Sequence, residues 1–151
     1  MAASAILWDA ASAADASLHT TSLNTLASNT LSAASSNYDN SAAHKTAFWL
    51  ELVTGTLGSA AVAGETVDVY AVKSLDGTNF DDAPVTGGVN YGNLWVCSFV
   101  YLAVTTARRQ VKGPFPLDPM LYKFYVDNRL TGAFNATGNT LKIHAGSLES
   151  Q

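Results

Sequence analysis

Residues 74–82, SLDGTNFDD, set three carboxylates (Asp76, Asp81 and Asp82) and the amide of Asn79 within one short stretch. Oxygen ligands this close could hold a hard cation such as calcium, which takes carboxylates, amides and carbonyls. A regular calcium loop alternates its ligands, with glycine sixth and glutamate twelfth. Counted from Asp76, the sixth residue is Asp81 and the twelfth Gly87, so the template fails. An irregular site built from Asp76, Asn79, Asp81 and Asp82 stays chemically open. A turn is the plainer reading: Asp-Gly between two apolar runs supplies the positive φ of a tight hairpin.

Other residues with chemistry in them fare no better. His19, His44 and His144 have neither H-x-x-x-H nor H-E-x-x-H spacing, so no zinc pair forms along the chain. Serine is abundant, but no G-x-S-x-G elbow holds one as a nucleophile. The glycines of GTLGSAAVAG fit neither a dinucleotide nor a phosphate loop. These absences point away from an enzyme and from any bound cofactor or metal. Arg108, Arg109 and Lys112 form the one basic cluster, ARRQVKGPF. On a strand, Arg108 and Lys112 would share one face and Arg109 the other. Ion pairing across a subunit boundary, or a charged edge that discourages aggregation, suits such a cluster. Trp95, Tyr91 and Tyr101 could alternatively stack sugar rings, although aromatics more often fill cores and interfaces.

The elements that would position these residues follow from composition and period. The chain has 151 residues, 48% hydrophobic and only 13% charged, with a net charge of −4. One domain of this length can bury a substantial core. An acidic chain lacks the basic face that nucleic acid demands. Cys97 is the only cysteine and sits in the apolar run LWVCSFVYL, so it reads as a buried hydrophobe. No Lys or Arg precedes Lys45, and no apolar run approaches the ~20 residues of a membrane helix, which together suggest a soluble, non-secreted chain without a membrane partner.

Residues 1–46 are dominated by Ala, Ser, Thr and Asn. Such a segment buries too little apolar surface to offset its own ordering. It is expected to be an extended, largely irregular N-terminal arm, with Trp8, Leu18, Leu23 and Leu26 as anchors into a neighbouring subunit. From residue 47 the pattern changes to period two. Phe48, Leu50 and Leu52 alternate with Trp49, Glu51 and Val53; Val67, Val69 and Ala71 with Asp68, Tyr70 and Val72. Tyr122, Phe124 and Val126 alternate with Lys123, Tyr125 and Asp127; Leu141, Ile143 and Ala145 with Lys142 and His144. Between them LWVCSFVYLAVTT is a long apolar run. Gly, Pro, Asn and Asp punctuate these runs, which predicts an all-β antiparallel sandwich, jelly-roll-like, over residues 47–151.

The order of several motifs carries more than any one of them. SNYDNSAAHKTAFWLELV, then AGETVDVYAVKSLDGTNFDD, then AVTTARRQVKGPFPLDPMLYKFYVDNRLTGAFNATGNTLKI spans roughly residues 38–143. This succession resembles small virion structural proteins of tailed bacteriophages. The resemblance implies a non-enzymatic jelly-roll subunit, such as a capsid decoration or cement protein, often homotrimeric. Its partners would be further copies of itself and the major capsid protein, and its place the outer capsid surface after synthesis in the bacterial cytoplasm. A head-fibre base, a tail component or a glycan-binding sandwich are the alternatives. If residues 1–37 are an arm outside the resemblance, deleting them should leave the β body folded.

Overall fold

The computed structural model describes residues 6–8, 16–84 and 94–150, with backbone pairing alone at 6–8 and 148–150. In chain order the strands are β1 (Ile6–Trp8), β2 (Ala16–His19), β3 (Thr30–Leu31) and β4 (Tyr38–Asp39). They continue as β5 (Ala47–Thr54), β6 (Thr66–Ser74), β7 (Trp95–Val100) and β8 (Arg108–Pro116). β9 (Leu121–Asn128), β10 (Thr140–Gly146) and β11 (Leu148–Ser150) complete the set. The protein is all-β, and every strand pair is antiparallel.

Two sheets face each other. One has the order β2-β10-β5-β8; the other runs β3-β9-β6-β7, with β4 also on β9. Treating β3 and β4 as one interrupted strand, the chain crosses between sheets after β2, β4, β5, β7, β8 and β9. That is the strand order of a jelly roll, two Greek keys wrapped into a sandwich. The period-two residues behave as their alternation requires. Phe48, Leu50, Leu52, Val67, Val69, Phe124, Val126, Leu141 and Ile143 all lie in one buried core. Phe48 meets Phe124 edge-on across it, with ring centroids 5.9 Å apart.

Two strand boundaries depart from the sequence pattern. The apolar run after Leu94 makes only the six residues of β7, because Tyr101 turns inward to bond the Thr54 hydroxyl at 3.0 Å. β8 runs through Gly113, Pro114 and Pro116, where breakers predict a turn. It is an edge strand, so a missing N–H on its free side costs no ladder bond. Gly113, at φ +136°, lies where β8 bulges opposite Trp49; a Cβ there would meet the Phe48 carbonyl at 2.7 Å.

The larger correction concerns residues 16–46. They are irregular, but they are part of the sandwich rather than an arm beside it. β2 supplies the outer strand of the first sheet, and residues 30–39 run beside β9 as a broken strand. Between β3 and β4 the ladder continues through Ser32 and Ser35, whose amides donate to the Val126 and Phe124 carbonyls. The two serine hydroxyls accept the Val126 and Phe124 amides in return, each at 2.9 Å. The jelly roll therefore begins at Ala16, and residue 46 marks no boundary of packing.

Three buried asparagines hold the segment in place. The Asn40 amide donates to the Lys45 and Asp118 carbonyls and accepts the Lys45 N–H. Asn128 Nδ2 points at the Leu26, Ala27 and Gly132 carbonyls, while its Oδ1 accepts the Leu130 N–H. Asn139 Nδ2 reaches Asn24 Oδ1 and the Asn135 carbonyl, and its Oδ1 accepts the Gly55 N–H. Each side chain replaces ladder bonds that irregular backbone cannot make for itself.

His19 is the buried titratable group of this segment. Its Nε2 donates to the Phe124 carbonyl at 3.2 Å, which leaves Nδ1 to accept from the Ser22 hydroxyl at 2.6 Å. Burial lowers its pKa below 6.5, and the bond to Phe124 only partly opposes that. Below pH about 6.5 the unfolded chain takes up a proton that the folded one resists, so stability falls as pH falls. Urea midpoints measured from pH 7 to pH 5 should drop more steeply in the wild-type protein than in His19→Gln. Parallel slopes would assign the acid sensitivity elsewhere.

Candidate functional site

The 74–82 loop resolves into a turn. Asp76 accepts the amides of Asn79 and Thr78 at 2.8 and 2.9 Å, the Asn79 side-chain amide at 2.7 Å and the Ser74 hydroxyl at 3.1 Å. These donors hold its carboxyl well below the usual carboxylate range. Gly77 follows at φ +76°. The positive φ is where Asp-Gly places it, but the connection is not a tight hairpin, since β7 starts only at Trp95. Instead the loop folds back over the outer face of the second sheet. Phe80 packs there with Tyr70, Val72 and Leu94 under the Lys123 ammonium, 4.0 Å from the ring centroid. Among the described residues no three His, Cys, Asp or Glu side chains are grouped to hold a metal.

The sequence-predicted anchors separate. Leu18 and Leu23 are buried in the protein's own core, and Leu26 packs against it. Leu18 and Leu23 are thus spent within the chain. The alternation rule misses them because β2 is too short to show a period and Leu23 and Leu26 lie in irregular backbone. Trp8 sits in β1 opposite Leu148 of β11, and its side chain is outside the described residues.

The basic cluster also divides. Arg109 lies on the outer face of the first sheet and donates to Glu51 at 2.6 Å. That bond pulls the Glu51 pKa down against its desolvation. His144 Nε2 stands 3.4 Å from the same carboxylate, and Trp49 and Val111 close a hollow of about 200 Å³ around it. Arg108 lies over the Tyr101 ring, 5.8 Å from its centroid. Lys112 is exposed and forms no ion pair among the described residues. Two of the three cations are thus used inside the chain. Of the three aromatic platforms, Tyr101 is buried, Tyr91 falls outside the described residues, and Trp95 alone is on the described surface.

Trp95 leads to the surface that sequence reasoning missed. At one side of the sandwich the sheets are stitched together, the Ser36 amide donating to the Leu18 carbonyl of β2. At the other side β7 and β8 end their sheets and approach each other, with no backbone hydrogen bond between them among the described residues. A cleft of about 220 Å³ enters there, lined by Phe48, Leu94, Trp95, Phe115 and Tyr122. The Lys73–Asp118 ion pair, 2.7 Å, flanks it. Trp95 is 51% exposed, Val100 49% and Leu102 57%, an apolar strip along the same edge. The two edge strands differ in protection. β8 carries Arg108, Arg109, Lys112, Pro114 and Pro116, the residues that block edge-to-edge pairing. β7, WVCSFV, carries no charge and no proline, and among the described residues pairs only with β6. Its sequence signal is the absence of charge from residue 94 to 107, too common in buried strands to mark an exposed edge.

The fold and this edge define a jelly-roll sandwich with one guarded and one unguarded margin. No protein-family model, curated protein or solved structure matches the chain.

Cys97, at the centre of β7, points into the core. Burial pushes its thiol up to about 12, so almost no thiolate exists at neutral pH. A thiol reagent should therefore label the folded protein only at the rate of unfolding, and label it completely in denaturant. Fast labelling of the folded chain would contradict this burial.

Proposed function

We propose that the chain is a non-enzymatic structural subunit of a tailed-bacteriophage particle, a capsid decoration or cement protein acting as a homotrimer on the major capsid protein. The observation that carries this reading is the jelly-roll strand order, which is the fold implied by the ordered motif resemblance over residues 38–143. The unguarded β7 margin supports it, because an exposed apolar edge suits a subunit that works in an assembly. So does a composition only 13% charged. Cementing asks for rigid, self-satisfied subunits, and the buried asparagine network serves that end.

The test is assembly. Purified protein should sediment as a trimer and bind mature capsids that lack it, raising the temperature at which they rupture. A monomer that leaves capsid stability unchanged would overturn the proposal. A glycan-binding sandwich is the second reading, favoured by the half-exposed Trp95 beside its cleft. It requires binding on a glycan array that Trp95→Ala abolishes.

A further inference from the structure

The outer face of the second sheet carries two aspartates in direct opposition. Asp68 of β6 pairs in register with Asp127 of β9. Residues opposed in this way hold their Cβ atoms about 4.5–5.5 Å apart, and like charges there repel. Asp127 is buried, with 5% of its surface exposed. One oxygen of Asp68, Oδ1, is shut off from solvent and receives no hydrogen bond among the described residues. Buried acceptors nearly always find a donor, because leaving one without is costly.

The groups packed around the pair give Asp68 Oδ1 no such donor. Arg129, just past the end of β9, bonds Asp127 Oδ2 at 2.7 Å and also reaches the Tyr70 hydroxyl of β6. On β7 the residue opposite Asp68 is Ser98, whose hydroxyl accepts from Trp95 Nε1 at 3.2 Å. On β3 the residue opposite Asp127 is the apolar Leu31. One cation thus serves two carboxylates. Burial, reinforced by Asp68, raises the Asp127 pKa even with a guanidinium in contact.

We infer that Asp68 and Asp127 hold one proton between them, Asp127 Oδ1 donating to Asp68 Oδ1, and that this bond is a pH-sensitive clasp between β6 and β9. A proton taken from solvent removes one of the two facing charges and supplies the missing donor in one step. Asp127 Oδ2 remains the acceptor of Arg129, so both interactions coexist. A carboxyl whose folded pKa lies above its unfolded 3.8 contributes stability that is complete below 3.8 and lost as pH rises through the folded value. The clasp therefore opposes His19, whose burial penalises acid. It also bears on the unguarded margin, since β6 is the strand to which β7 is paired.

The experiment compares the full-length wild-type chain with Asp68→Asn, whose side-chain amide can donate to Asp127 at every pH and so makes the clasp without a proton. Urea midpoints are measured from pH 3 to pH 8. The wild-type midpoint should fall relative to that of the variant as pH rises, and the variant should be the more stable at pH 8. A difference that does not change with pH, or a wild-type protein that is the more stable at pH 8, would overturn the clasp. Side-chain carboxyl carbon resonances of the wild-type protein, followed over the same range, give a reading independent of the variant's folding. The Asp68–Asp127 pair should show a titration above 3.8. Two aspartates that both titrate at or below that value would refute the shared proton.

Discussion

Deletion of residues 1–37 yields a chain that does not fold. The cut removes β2 and β3, and with them Leu18 and Leu23 from the centre of the core. Full burial of one leucine stabilises by roughly 1.5–3 kcal/mol. Leu26 and Leu31, both partly buried, go as well. The Val126 and Phe124 amides lose Ser32 and Ser35, and Asn128 loses two of its carbonyl partners. A domain's whole stability is only about 5–15 kcal/mol, which these losses together consume. The truncated chain should lack near-ultraviolet circular dichroism and a cooperative melt, and should bind a hydrophobic dye. Deletion of residues 1–15 should leave melting within a few degrees of the whole chain, since the core begins at Ala16. A cooperative melt after the longer deletion would restore the arm that composition suggests.

Asn128→Ala is expected to be the most damaging polar substitution. Its Nδ2 serves three carbonyls at 3.1 Å each, and its Oδ1 serves the Leu130 amide at 3.1 Å, with no part of the residue exposed. Truncation strands these groups away from water, and each buried group left unsatisfied costs about 1–3 kcal/mol. Local relaxation and water recover part of this, so a net loss of about 3 kcal/mol is expected. At this chain length that lowers Tm by roughly 6–12 °C. The urea midpoint should fall with an unchanged m-value, because the surface exposed on unfolding is the same. Asn37→Ala, at an exposed position with ordinary backbone geometry, should change neither. A loss under 1 kcal/mol would mean that water replaces the amide fully.

The long strands are legible in the sequence for one reason. Each has a buried face and a wet face, so β5, β6, β9 and β10 announce themselves by alternation. β2 and residues 30–39 are not legible, because their order comes from partners about a hundred residues away. No local pattern shows that the Ser32 and Ser35 hydroxyls cap β9, or that Asn128 collects carbonyls from two loops. A polar, Ala-rich stretch looks unable to fold when only its own apolar content is weighed. The same limit hid the cleft. Phe48 reads as a core residue, and only the meeting of two sheet ends leaves a gap between it and Phe115. The basic cluster was legible as an edge guard, whereas the partners of Arg108 and Arg109 depend on register between strands.

The pairing of β2 with β10 has a consequence in time. The fourth residue of β2, His19, lies opposite Leu141 near the far end of the chain. A nascent chain on the ribosome emits β2 first and must wait for nearly every other residue before that ladder can form. Until then the apolar faces of β5, β6 and β9 have no complete sheet to close against. Non-local pairing of this kind slows folding and prolongs the exposure of sticky intermediates. The first sheet can therefore close only once β10 has been made.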